Sequence, residues 1–346
     1  MIRTKVTRTL ALAGLIPTGK SGHSYCGILP LLALCVAAAA WSQTAPVFRG
    51  SRVPPNVPSG VQQPTPAAAT QANAQYRFVS IVIPGSTGAY AYGIDDAGRV
   101  VGLYDDASNN TNGFVWQNGT LHTLDNPGSV DTGLDGVSSR GVAIGAFGDL
   151  TTAHAATYSF PSGTWAMLPD ISGMPINEGF GINDFGVAIG AAGGGDFDNI
   201  SNLAAWIWNP STQSYSFFAA PGATQYSTSL DAINDRGQIV GSFRDSSGVY
   251  HGFLKQGETY TAIDVPGATD TFPLGINNSG TVVGQFANLS GMPEGFFRTS
   301  DGVFTVVDFP GALGTEIGNI NDRGDICGYW VDPKTGVWTA FVGFKR

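Results

Sequence analysis

From Tyr76 to the C-terminus the chain alternates apolar and polar residues in short runs, broken by Gly, Asn, Asp and Ser. Alternation at period two over such runs marks half-buried β-strands. The breaking residues tolerate the positive φ angles of tight hairpins. One full cycle runs from Ser227 to Thr269: STSLDAIN, the turn DRG, QIVGSFRD, SSG, VYHGFLKQ, GE and TYTAIDVPGAT. Its runs are rich in Val, Ile, Phe, Tyr and Thr, which suit a pleated surface. Each cycle therefore predicts a four-stranded antiparallel meander.

The cycle repeats. Its first turn reads GIDDAGRVVG, GVSSRGVAIG, GINDFGVAIG, AINDRGQIVG, GINNSGTVVG and NINDRGDICG, with central glycines Gly98, Gly141, Gly186, Gly237, Gly280 and Gly324 spaced by 43, 45, 51, 43 and 44 residues. A strand-rich repeat of this length predicts an all-β fold, a six-bladed β-propeller of four-stranded antiparallel blades. A second glycine of the phrase (Gly241 in the fourth copy) falls inside a strand, where close backbone approach or a bulge is expected, at the place where blades crowd together. The third strand carries a small residue and then an aromatic, as in Gly113-Phe114, Ala205-Trp206, Gly252-Phe253, Gly295-Phe296 and Ala340-Phe341. Packing between blades is the expected fate of these rings. The fourth strand ends in a Pro-Gly turn, but the last copy stops at TAFVGFKR without a fourth strand. Residues 76–83, YRFVSIVI, precede the first full copy and end in the same Pro-Gly turn. They are expected to complete the last blade and close the ring, which removes exposed sheet edges.

The segment before Tyr76 is of another kind. Residues 1–27 carry Arg3, Lys5, Arg8 and Lys20 and no acid, and residues 28–40 are an apolar run. This predicts a signal peptide over 1–42 rather than a permanent membrane helix, with no membrane span in the mature chain. Residues 43–75, rich in Pro, Ala and Gln, read as a disordered linker before a propeller over 76–346. The expected location is secreted, extracellular or periplasmic. All 26 acids lie after residue 42, against 13 of the 17 bases, so the mature chain carries a net charge of −13. That balance excludes nucleic acid and anionic membrane as partners, since both need basic patches. Only Cys327 of the three cysteines lies beyond the leader, so no intrachain disulfide is expected, and a buried inert thiol is the reading for it.

The phrase Ile-Asn-Asp-x-Gly-x-Ile-Val-Gly, followed by a His-small-aromatic strand and a Val-Pro-Gly-Ala turn, resembles the bacterial extracellular HAF-repeat family over residues 76–346. His251-Gly252-Phe253 is the nearest copy of that family's triplet and His154-Ala155-Ala156 a partial one. The resemblance implies an exported, propeller-like repeat protein. It implies no reaction.

Candidate chemistry is sparse. No nucleophile elbow, HExxH, CxxC or phosphate loop is present. The Asn-Asp turns are explained by their own geometry. The loops between second and third strands differ between copies and share one face with the mouth of the axis, where binding is expected. Asp196, Asp198 and Asn199 in the longest loop group oxygen donors of the kind calcium takes, against the default reading of a solvated acidic loop. Asp105, Asp106, Asn109 and Asn110 form a second such group. Equivalent positions at the starts of first strands carry Thr132, Thr228, Thr271 and Thr315, with Tyr90, Glu178, Phe272 and Glu316 one residue further on. Together they predict a polar, aromatic rim for hydroxyl-rich ligands, though Thr is also simply a good strand residue. Glu178 and Glu316 are the candidates for a glycosidase-type carboxylate pair. Three readings follow. The first is a binding or adhesion module for extracellular carbohydrate or protein, expected to be monomeric. The second is a polysaccharide hydrolase or lyase, and the third a structural surface protein without a small ligand. No cofactor is expected beyond possible calcium.

Overall fold

The computed structural model describes residues 73–149, 151–194, 201–287 and 292–346, so the expected leader and nearly all of the expected linker lie outside the described residues. The alternating runs form strands in the predicted order. β1 (Tyr76–Ile81) comes first. The first repeat is β2 (Gly88–Ile94), β3 (Val100–Asp105), β4 (Thr111–Gln117) and β5 (Thr120–Thr123). The second is β6 (Asp131–Val137), β7 (Val142–Gly148), β8 (Ala153–Ser159) and β9 (Thr164–Met167). The third is β10 (Ile176–Ile182), β11 (Ala188–Gly194), β12 (Ser201–Asn209) and β13 (Ser214–Phe218). The fourth is β14 (Thr228–Ile233), β15 (Gln238–Arg244), β16 (Tyr250–Gln256) and β17 (Thr259–Ile263). The fifth is β18 (Asp270–Ile276), β19 (Val282–Ala287), β20 (Pro293–Arg298) and β21 (Phe304–Val306). The last is β22 (Thr315–Ile320), β23 (Ile326–Val331) and β24 (Trp338–Lys345).

The arrangement is all-β and propeller-like. Four sheets have four strands each, and one has eight. In the large sheet the second and third repeats are joined by a single parallel bridge between Ile176 and Ala153. The Ala153 amide donates to the Pro175 carbonyl at 3.0 Å, so the segment leading into β10 runs against β8. β1 takes the outer place beside β24, antiparallel, from Tyr76 opposite Lys345 to Ile81 opposite Ala340. The first strands of the repeats touch in cyclic order: β2 to β6, β10, β14, β18, β22 and back to β2.

The core lies between neighbouring repeats. Trp206 joins Ile144 and Ala155 of the second repeat to Ala188 of the third. Phe253 packs on Ile189 and Ala205, Phe296 on Val240 and Ile263, and Phe341 on Val283 and Val307. Phe114 closes the cycle against Ile81, Ala340 and Val342. The repeated aromatics are therefore core, and burial of one such side chain contributes about 1.5–3 kcal/mol. Cys327 is buried in this core, and burial pushes its thiol up, as expected of an inert cysteine.

Every first strand breaks register at one place, for example between Leu230 and Ala232 opposite β15. This bulge explains the in-strand glycine. A Cβ on Gly241 would lie 2.1 Å from the Ser229 carbonyl oxygen of the facing strand. The close approach is thus within one sheet. Crowding between repeats falls instead at the glycine that opens the phrase: a Cβ on Gly136 would lie 2.7 Å from the Phe180 carbonyl oxygen of β10.

Candidate functional site

Strand alternation sends the Pro-Gly loops and the second-to-third loops to one end of the axis, the loop face. The Asn-Asp turns go to the other end, the turn face. On the turn face a cavity of about 60 Å³ is lined by residues of every repeat, among them Ile94, Ser139, Asp184, Asp235, Asn278 and Asp322. Sites for small molecules usually enclose roughly 300–1,000 Å³, so this depression is too small for a sugar. Its wall is built of hydrogen bonds. Asn234 Oδ1 accepts from the Arg236 and Gln238 amides, each at 3.0 Å, which caps its own turn as expected. Its Nδ2 donates to the Asn277 carbonyl of the next repeat at 2.9 Å. Asn183, Asn277 and Asn321 donate in the same way to the carbonyls of Asn234, Asn321 and Asp95. A second circle runs outside it: the Asp184, Asp235, Asn278 and Asp322 amides donate to the side chains of Asp235, Asn278, Asp322 and Asp96. The turns are structural, and they also tie repeat to repeat.

The four threonines do not form an open rim. Thr132, Thr228, Thr271 and Thr315 are buried. Their hydroxyls accept from the amides of Asn126, Ala220, Val265 and Phe309 at 2.9–3.0 Å, pinning each Pro-Gly loop to the strand it precedes. Their recurrence is a loop lock. Tyr90 and Phe272 are buried too. Tyr90 meets Tyr329 edge-on at 5.1 Å, and Phe272 lies 5.2 Å from Tyr250.

Glu178 and Glu316 sit inside the hub. Alternation puts Ser229 and Asp231 on one side of β14, and the Ser229 hydroxyl donates to Asp231 Oδ1 at 2.6 Å. The equivalent sides of β6, β10 and β22 carry Asp135, Glu178 and Glu316. All four acids are at most 7% exposed. Glu316 Oε1 accepts from the Tyr329 hydroxyl. Burial and then the nearby Asp231 charge raise the Glu316 carboxyl to about 8, against the hydrogen bonds of Tyr329 and Gln285. Burial also raises Asp231 to about 7, and burial with the Glu178 charge raises Asp135 well above the usual range. β14 and β22 both neighbour β18, so the effect of Asp231 on Glu316 reaches past an intervening repeat. Each glutamate thus shares a like-charge interaction with an aspartate, Glu316 with Asp231 and Glu178 with Asp135. Neither lines the turn-face cavity. Near pH 7 burial favours the neutral form of Glu316 and Asp135, while Asp231, at about 7, is close to its midpoint. Both candidates for a glycosidase pair are therefore enclosed in the packed interior.

Asp196, Asp198 and Asn199 lie outside the described residues. Among the described residues no group of three or more His, Cys, Asp or Glu is placed to hold a metal. In the second candidate group, Asp106 Oδ1 accepts from the Ser108 and Asn110 amides at 2.7 and 3.0 Å, and Asp105 Oδ1 accepts from the Thr111 hydroxyl at 3.0 Å. Those oxygens fold the loop. Asp149, Asp245 and Asp332 cap the corresponding loops of the second, fourth and last repeats by accepting from Thr151, Ser247 and Lys334 amides. So loops that differ in sequence share one frame. His154 pairs with Asp170 at 2.8 Å, and His251 bridges Asp264 at 3.2 Å and Asp245 at 3.4 Å. Against the upward effect of burial, hydrogen bonds from the Ser247 hydroxyl, the Val249 amide, His251 and the Ser247 amide hold Asp245 at about 2.

One feature of the loop face escaped the sequence reading. In the second, fifth and last repeats the loop amide bonds a threonine six positions on, whereas Ala220 bonds Thr228, eight on. The extra residues include Tyr226, 49% exposed and at φ 60°. The changed spacing was the available signal.

No protein-family model matches the chain, and no curated protein matches it significantly. Solved structures match its fold. XC5397 from Xanthomonas campestris, described as a gluconolactonase, superposes with a TM-score of 0.54 at 13% identity, covering 84% of this chain and 96% of its own. The SapL1 lectin, solved with alpha methyl fucoside, gives 0.51 at 12% identity, covering 75% and 94%. AofleA from Arthrobotrys oligospora gives 0.51 at 12% identity, covering 78% and 86%. At these identities the likeness is one of fold, an all-β propeller.

Proposed function

We propose that this chain is an exported binding module: a six-bladed, HAF-like propeller that takes carbohydrate on its loop face. The blade count is supported by the cyclic contacts of the first strands and by core layers between successive repeats. The single bridge between the second and third repeats joins two blades in one sheet. Export is supported by the charged and apolar leader.

The observation that carries the reading is the shared frame of the second-to-third loops. Asp106, Asp149, Asp245 and Asp332 hold four loops alike while the displayed residues differ. A fixed scaffold with variable display suits recognition. The acids of the hub are locked away from solvent, which favours binding over turnover at Glu178 and Glu316. SapL1 is a propeller lectin bound to a fucoside, which makes saccharides the ligand class to test first.

The test is a glycan array probed with the full-chain protein, in calcium and then in chelator. Selective retention of one glycan class is expected. A blank array overturns the reading and shifts it to a protein partner. Loss of signal in chelator would assign calcium to the Asp196, Asp198 and Asn199 loop.

A further inference from the structure

We infer that the loop-face surface of the fourth repeat binds a neutral sugar ring, with Tyr226 as its stacking platform and Arg244 as its hydroxyl donor. The inference rests on the reading of the protein as a carbohydrate-binding module. It starts from the lengthened loop of the fourth repeat, whose lock on Thr228 spans eight residues where three other repeats span six. The insertion puts a bulky aromatic at φ 60° and 49% exposed. A non-glycine residue in that region is costly by roughly 1–3 kcal/mol, and an exposed ring does not repay it by burial.

The loop is held firmly. The Thr224 amide donates to the Arg244 carbonyl at 2.8 Å, and the Ser227 hydroxyl donates to the same oxygen at 3.0 Å. The Arg244 amide donates back to the Ser227 hydroxyl at 3.3 Å. Tyr226 is therefore fixed beside the end of β15. Arg244 is exposed, its guanidinium 5.9 Å from the Tyr250 ring centre and its Nε donating to the Gly248 carbonyl at 3.2 Å. Among the described residues it has no salt-bridge partner within 4 Å. Tyr250 continues the surface to Phe272 at 5.2 Å, and its amide is tied to Asp270 of the fifth repeat at 2.9 Å.

An aromatic face, a planar donor fork and a half-buried tyrosine on a rigid loop match what a sugar ring offers: a C–H face and vicinal hydroxyls. The surroundings select its charge. Asp245 and Asp264 flank the adjoining His251 and Asp270 accepts from the Tyr250 amide, so an anionic sugar meets repulsion while a neutral ring does not.

Calorimetric titration of the full-chain protein with methyl glycosides of fucose, mannose, galactose, glucose and glucuronate tests this. At least one neutral glycoside should bind. Tyr226→Ala and Arg244→Ala should each weaken it by about tenfold or more, Tyr226→Phe should keep it, and all should melt as the parent does. Deletion of Gln225 and Tyr226 restores the six-residue spacing and should abolish binding in a folded protein. If the parent binds and the variants bind equally, this surface is the wrong site and the module reading survives. Binding of glucuronate alone overturns the neutral class. If the parent binds none of the five, this inference falls, and a blank array as well takes the module reading with it.

Discussion

An asparagine and an aspartate are nearly the same shape, but only the amide donates, and the turn face depends on that difference. Asn234 caps its own turn through Oδ1 and reaches the next repeat through Nδ2. Where the first repeat has Asp95 instead, the carboxylate turns to Arg99 at 2.6 Å, and where the second has Ser138 the side chain is too short to cross. Asn234→Asp should therefore keep the turn and lose the tie to Asn277. Losing a buried partner costs about 1–3 kcal/mol, so the urea midpoint should fall at pH 7. An unchanged midpoint would show that the circle of amides contributes nothing. The capping half of this role was legible from Asn and Asp in a tight turn. The donating half was not, because the acceptor is some 43 residues away and belongs to the next repeat. The same limit hid the use of Thr271. Its recurrence was visible, but the amide that occupies its hydroxyl was not.

At the scale of elements, β1 decides whether the ring closes. Tyr76 donates from its hydroxyl to the Gly324 carbonyl at 3.1 Å, and Phe78 lies 5.5 Å from Phe309 and 5.7 Å from Phe341. Removing everything through Ile83 takes away the buried Tyr76 and Ile81, at about 1.5–3 kcal/mol each, and bares the β24 edge. The truncated chain should aggregate or melt many degrees lower. A soluble protein with the parent's melting temperature would refute closure. This element was legible because a missing fourth strand at one end matched a spare strand at the other. Period-two patterning also gave the four strands of each repeat. The bulge in each first strand was not legible as such. Only its consequence, an obligate glycine like Gly241 on the facing strand, shows in the sequence, and a Cβ 2.1 Å from a carbonyl oxygen explains it.

The whole molecule has a property that no single repeat has: acids from four repeats meet at the hub. Asp135, Glu178, Asp231 and Glu316 are ordinary strand residues when each repeat is read alone, and only ring closure brings them inside. With folded-state values of about 7 for Asp231 and about 8 for Glu316, both are raised above the ordinary carboxyl range of the unfolded chain. The folded protein then holds these protons more tightly than the unfolded chain does. Their contribution is fully present below the unfolded values near 4, declines as pH rises, and is lost once pH passes about 8. Each tenfold difference in proton affinity is worth about 1.4 kcal/mol, so the combined effect reaches several kcal/mol at most. Asp245, held at about 2, acts in the opposite sense, but only in acid. The melting temperature should therefore fall steadily from pH 5 to pH 9. Asp231→Asn with Glu316→Gln removes both titrations while keeping acceptors for Ser229 and Tyr329, and should flatten that decline. A parent protein equally stable at pH 5 and pH 9 would mean that solvent reaches the hub. The four acids would then return as candidates for chemistry rather than packing.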